Sequence, residues 1–151
     1  QCCLVGSEMC IRDRLWTIDF LSKVTENLNS QGYLITYSSS AAVRKTLRNL
    51  GLEIFTIKPS FKNRTFWSQG TVAISKFDKN KLKPNFNFEK LSLMEEEHLL
   101  TKASIPYRDQ DLNSSKDDII RRRLDEQLFS NLLSTNKWRE KWGMTKLSVK
   151  S

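Results

Sequence analysis

The chain has 151 residues and a formal net charge of +8, with 25 Lys and Arg against 17 Asp and Glu. That length allows one domain or part of a larger one. No apolar run approaches the ~18 residues of a membrane-spanning helix, which fits a soluble, cytoplasmic protein, and the basic excess favours a polyanionic partner without bearing on fold.

All three cysteines, Cys2, Cys3 and Cys10, lie in the opening string QCCLVGSEMCIRDR, and the single histidine, His98, is far from them in sequence. A metal site is therefore not expected. The string has no basic n-region and no small-residue cleavage site, so it is not read as a signal peptide. It resembles translated adapter read-through in metagenomic assemblies, and residues 1–14 are set aside as a non-native segment. Within it Glu8 and Asp13 cancel Arg12 and Arg14, so the excess positive charge belongs to 15–151.

Residues 17–30 place Phe20, Leu21, Val24 and Leu28 on one stripe, which predicts a helix with Thr17 as N-cap and Asp19 in its positive first turn. Gly32 ends it. YLITYS at 33–38 is uncharged and rich in β-branched and aromatic residues, as expected of a strand buried on both faces of a largely parallel sheet. Ser39 or Ser40 is placed to cap a helix over 40–50, with Val43, Leu47 and Leu50 towards the sheet and Arg44, Lys45 and Arg48 facing elsewhere. Gly51 closes that helix, and LEIFTIK at 52–58 is a second strand ended by Pro59.

A basic loop over 60–65 leads to a third strand around 70–76, expected to return antiparallel as one reversed edge strand of a doubly wound sheet. Residues 77–91 read as a polar linker. Ser92 and Glu95 form a capping-box pattern opening a short helix, and Ser115 with Asp118 opens a longer one whose Ile120, Leu124, Leu128 and Leu132 predict a packed stripe. Trp138 and Trp142 lie one turn apart, a spacing that favours a docking helix over base stacking.

The corner Tyr37-Ser38-Ser39-Ser40 lies where a strand's carboxyl end meets a helix N-terminus, a place where backbone N–H groups attract polar or anionic ligands. Its plainer meaning is helix capping. Arg121, Arg122 and Arg123 read as a solvated, salt-bridged face, whereas Arg44, Lys45, Arg48, Lys62 and Arg64 have few acids near them in sequence and are the better phosphate candidates. His98, after three glutamates, reads as a surface residue.

Leu15-Trp16-Thr17, the stretch LITYSSSAAVRKTLRNLG at 34–51, and Pro59 with Phe61 before a basic loop resemble the MnmC-like methyltransferase domain. The most specific part is the register of Thr36, Tyr37, Val43, Arg44, Leu47 and Gly51, and PYRD at 106–109 is similar to the tail of stand-alone bacterial members. Ser60 and Lys62 stand where the family has glycines. The resemblance implies an α/β fold, the C-terminal half of a doubly wound Rossmann-like class I methyltransferase sheet with a helical C-terminal extension. It also implies S-adenosyl-L-methionine as cofactor and the tRNA anticodon loop as partner. The implied reaction is methylation of the aminomethyl nitrogen of wobble 5-aminomethyl(-2-thio)uridine.

On that resemblance Trp16, Tyr37, Ser38 and Ser39 form part of a substrate-side wall, and Arg44, Lys62 and Arg64 hold anticodon-loop phosphates. The family's glycine-rich cofactor loop, its ribose-holding acid and the aspartate expected as general base are placed upstream of Leu15, so no catalytic or cofactor-binding residue is assigned here. The chain is expected to be inactive alone and poorly stable through its open sheet edge. The expected division is a non-native segment 1–14, a methyltransferase half 15–76, a linker 77–91 and a helical extension 92–151, with nothing in 77–151 resembling the flavin domain of bifunctional relatives. Two alternatives are a non-catalytic basic RNA-binding module and a protein-interaction domain using the 116–133 helix.

Overall fold

The computed structural model describes residues 12–29, 32–57, 70–75 and 88–144. A short helix α1 (Arg12–Leu15) leads into α2 (Ile18–Glu26), which Thr17 caps by accepting the Phe20 N–H. Strand β1 (Tyr33–Thr36), helix α3 (Ala41–Asn49) and strand β2 (Leu52–Ile57) follow. Gly51, at φ +91°, makes the left-handed turn between α3 and β2 that a side chain would strain. Strands β3 (Thr71–Ser75) and β4 (Phe88–Lys90) complete the sheet, β4 arising from residues read as linker. Helices α4 (Leu93–His98), α5 (Lys116–Phe129) and α6 (Thr135–Lys141) end the described chain, with a 3-10 turn at Lys102–Ser104.

The sheet corrects the expected Rossmann-like architecture. Its order is β1-β3-β2-β4, and every ladder is antiparallel, so the described residues form a small, open, antiparallel sheet with helices. β1 and β2 run in the same direction, but β3 returns between them and takes the hydrogen bonds that parallel neighbours would have exchanged. The reversed strand is thus central, not an edge. Its burial agrees, since Thr71, Val72, Ala73 and Ile74 are all buried. β1 lies at the margin of this sheet, and Ile35 is 57% exposed, so the expected burial of β1 on both faces is also overturned.

One sheet face carries the main core. Leu21 of α2 and Ala41, Val43 and Leu47 of α3 pack with Leu52, Ile54 and Ala73, and Trp16 and Leu34 border them. The strand alternation sends Phe55, Val72 and Ile74 to the opposite face, where Phe88 meets Phe55 edge-on at 5.2 Å between ring centroids. The α5 stripe departs from its expected role: Ile119 is fully buried with Ala42 and Tyr107, whereas Leu124, Leu128 and Leu132 are exposed. The helix is instead held by polar contacts, Arg123 donating from Nε to the Ile105 carbonyl and from Nη2 to the Ala103 carbonyl while lying 4.3 Å from the Tyr107 ring centroid. Arg121 pairs with Asp118 at the surface, as expected of that face.

α6 docks on α4. Trp138 is buried, donates its indole N–H to the Met94 carbonyl and stacks on His98 at 4.1 Å, while Trp142 donates to Glu97. His98 is therefore half-buried against an aromatic ring and not the surface residue expected. Among the described residues no helix is long and apolar enough to cross a membrane.

Candidate functional site

The corner after β1 is built from the end of the sheet. Thr36, Thr71 and Thr56 are register partners across β1, β3 and β2, so their side chains share the face that α3 covers. Three hydroxyls in a row leave a polar strip beside the apolar Leu34, Leu52, Ile54 and Ala73 of the same face. Arg44, one turn into α3, lies over the strip and is 2% exposed. Its Nε donates to Thr71 Oγ1 at 2.9 Å, Nη1 to Glu95 Oε1 at 2.8 Å, and Nη2 to Thr56 Oγ1 at 3.3 Å and the Gly70 carbonyl at 3.2 Å.

This corrects the expectation that Arg44 turns away from the sheet. An arginine at that helical position is buried because α4 brings Glu95 to meet it, 51 residues later in sequence, and threonine hydroxyls supply the remaining acceptors. Arg48 is likewise engaged, bidentate to Glu96 at 2.7 and 2.8 Å, so the fold supplies the acids that the local sequence lacks.

Glu95 does two jobs from one carboxylate. Oε2 accepts the Ser92 backbone N–H at 2.9 Å to close the capping box, and Oε1 faces Arg44 and the Thr56 hydroxyl at 3.0 Å. Burial alone would raise its carboxyl, but Ser92, Arg44 and Thr56 together hold it below its ordinary value. Burial, helped by Arg44 and Arg139, pushes the His98 imidazole down to about 4 against an opposing pull from Glu95.

The network reaches the corner through Thr71, whose hydroxyl donates to the Ser38 carbonyl at 2.6 Å. Thr36 Oγ1 accepts the Ser38 N–H at 3.0 Å and Ser38 Oγ the Ser40 N–H at 3.3 Å. Ser40 is the N-cap of α3, yet its side chain makes no capping bond, so the serines here shape the turn more than they cap the helix. Gly70 is required at the start of β3, since a Cβ there would collide with the Thr36 carbonyl oxygen and crowd Tyr37 Cα. Tyr37, by contrast, is 93% exposed.

The sequence-derived site residues are thus only partly assembled. Tyr37, Ser38 and Ser39 sit together at the corner; Trp16 is half-buried against the main core; Arg44 lies beneath the corner; Lys62 and Arg64 fall outside the described residues. Thr71, Thr56, Gly70 and Glu95 escaped sequence reasoning. The available signals were the equal placement of Thr36, Thr56 and Thr71 at strand ends and the second oxygen that a capping-box glutamate leaves free. Two clefts of about 450 Å³ lie elsewhere, one lined by Arg48, Glu53, Lys90 and Glu96, the other by Ser22, Glu26, Leu50 and Ser75. Neither borders the corner. No group of His, Cys, Asp and Glu among the described residues is arranged to hold a metal ion.

The corner and α3 lie within residues 12–72, which match the model of a family described as S-adenosyl-L-methionine-dependent methyltransferase. Two larger proteins extend the likeness. MnmC2 from Aquifex aeolicus, a solved structure, shares 29% identity at a TM-score of 0.59, over 76% of this chain and 33% of its own. An uncharacterized protein of Methanocaldococcus jannaschii is 30% identical over 127 residues, 82% of this chain and 33% of its own length. The chain is thus similar in part to S-adenosyl-L-methionine-dependent methyltransferases and to MnmC2, and it spans about a third of the length of the relatives named.

Proposed function

We propose that this chain supplies the nucleobase-facing part of an S-adenosyl-L-methionine-dependent tRNA methyltransferase acting on the aminomethyl nitrogen of wobble 5-aminomethyl(-2-thio)uridine. The observation that carries this reading is Tyr37, an almost fully exposed aromatic side chain on a hydrogen-bonded corner, inside the segment that matches the methyltransferase family. Single-stranded loops are read by stacking splayed bases on such rings. Ser38 and Ser39 border it, and Lys62 and Arg64 are the proposed phosphate contacts; Arg44 serves from inside, by holding the corner.

On this reading no cofactor contact falls on the corner. Neither cleft reaches the corner, and Ser38 and Ser40 spend their backbone N–H groups within the turn. In this reading the methyl donor and the carboxylate base that would deprotonate the attacking amine are assigned to the remainder of a larger protein, in keeping with the share of the relatives that this chain spans. The chain alone is expected to bind RNA and to transfer no methyl group.

The test is fluorescence anisotropy with an anticodon stem-loop carrying the modified uridine. Tyr37→Ala should weaken binding by about 1–3 kcal/mol, roughly 5- to 150-fold. Affinity equal to wild type in that variant would refute the stacking role, and methyl incorporation by the chain alone would refute the placement of the cofactor side elsewhere.

A further inference from the structure

We infer that Glu95, Arg44 and Thr71 form a positioning relay that fixes the corner from behind, so that Tyr37 projects its ring towards a base from an ordered backbone. The inference rests on the reading of the corner as a nucleobase-facing wall. Each link is a hydrogen bond between named atoms: Glu95 Oε1 accepts from Arg44 Nη1, Arg44 Nε donates to Thr71 Oγ1, and the Thr71 hydroxyl donates to the Ser38 carbonyl.

The direction of these bonds matters. Because the Arg44 guanidinium occupies an acceptor position on Thr71 Oγ1, the hydroxyl proton is directed to the Ser38 carbonyl, and the 2.6 Å separation fits a polarised donor. The Ser38 N–H is held in turn by Thr36. The peptide groups on both sides of the Ser38 Cα are thereby fixed, and Gly70 packs close beneath Tyr37 Cα. Tyr37 is left with a constrained backbone and a solvent-facing ring, which is how a protein lowers the ordering cost of binding at an exposed aromatic. Arg44 and Glu95 touch no substrate in this scheme; they are positioning residues. The relay also ties the corner to α4, and through the Glu95 neighbour His98 to the Trp138 stack, so the C-terminal helices contribute to the site without bordering it.

The experiment combines Thr71→Val, Thr71→Ser and Tyr37→Ala in the full chain, with the same anticodon stem-loop as probe and with amide hydrogen exchange. Thr71→Val should weaken RNA binding by roughly five- to tenfold, Thr71→Ser should restore it to within about twofold, and Thr71→Val should add no further loss in a Tyr37→Ala background. Exchange should quicken over 37–40 in Thr71→Val. A merely structural role predicts the same loss with or without the Tyr37 ring, and that result overturns the relay while leaving the stacking role intact. Unchanged exchange over 37–40 also overturns it. Wild-type chain that fails to bind the RNA while exchange responds as expected sinks the functional reading beneath the relay and not the bonding itself. Should Thr71→Val fail to fold, Glu95→Gln, which keeps the shape and weakens the grip on Arg44, carries the same comparison: a loss confined to the Tyr37 background supports the relay, and an equal loss in both backgrounds overturns it.

Discussion

Replacing Arg44 by methionine tests whether the buried pair holds the sheet end to α3 and α4. The substitution keeps side-chain bulk and removes a guanidinium that donates to Thr71, Glu95, Thr56 and the Gly70 carbonyl. Removing one partner of a buried pair costs about 3–5 kcal/mol, because the other charge stays behind without compensation. Here Glu95 keeps the Ser92 N–H and hydroxyl and the Thr56 hydroxyl, which places the expected loss near the lower bound, about 3 kcal/mol, or roughly 6–12 °C in Tm for a chain of this size. The pH dependence has a definite sign. In the wild type the Glu95 carboxyl is held below its ordinary value of 4.5, so its stabilisation is present above that value and is lost as pH falls through the folded-state pKa. Without Arg44, burial raises the carboxyl, protonation relieves the unpaired charge, and the deficit of the variant narrows as pH falls from 7 towards 4. Urea denaturation followed by tryptophan fluorescence at several pH values measures both effects. A loss under about 1 kcal/mol at pH 7, or a deficit that is constant with pH, would refute the assignment.

Two further outcomes follow from single groups. The His98 imidazole, lowered to about 4 by burial and by Arg44 and Arg139, binds its proton in the unfolded chain first, so stability present above its ordinary value of 6.5 is lost between there and about 4; His98→Phe, which keeps a ring on Trp138, should flatten that part of a stability-against-pH curve, and an unchanged slope would refute it. Thr46 is fully buried in α3 and its hydroxyl has no hydrogen-bond partner among the described residues, so Thr46→Val should leave Tm unchanged or raise it by about 2–4 °C, whereas a fall in thermal melts would show that the hydroxyl is used.

Local signals in the sequence were legible where neighbours in the chain are also partners in space. Thr17 and Ser115 cap their helices, Ser92 and Glu95 close a capping box, and Gly51 makes the turn after α3, because each depends on atoms within a few residues. Strands β1, β2 and β3 were legible, but β4 falls in residues that read as a linker, and the strand order was not visible. The continuous burial of β3 over Thr71–Ile74 shows that it is covered on both faces, but no run or alternation of residues says which strands flank it, so the insertion of β3 between β1 and β2 was invisible to periodicity. The same limit explains Arg44 and Arg48. Read locally they form a cationic helix face, and only the tertiary fold brings Glu95 and Glu96 across from α4. The α5 leucines failed in the opposite sense: a regular apolar spacing is compatible with a packed stripe, yet the helix buries Ile119 and is anchored by Arg123.

These commitments change the meaning of the net charge. Arg44 and Arg48 bind α4, Arg108 binds Glu126, Arg121 binds Asp118, and Arg123 donates to backbone carbonyls, so several of the cations that make the composition basic are used by the fold. A phosphate competing for Arg44 would have to break a buried pair as well as displace threonine hydroxyls. On the proposed reading, attraction for a polyanion would rest on lysines and arginines other than Arg44, which is buried and would act by shaping the corner that carries Tyr37. Affinity and positioning are in this proposal assigned to different residues: surface cations would set the strength and salt dependence of binding, and the Glu95–Arg44–Thr71 chain would hold the backbone from which the exposed ring projects.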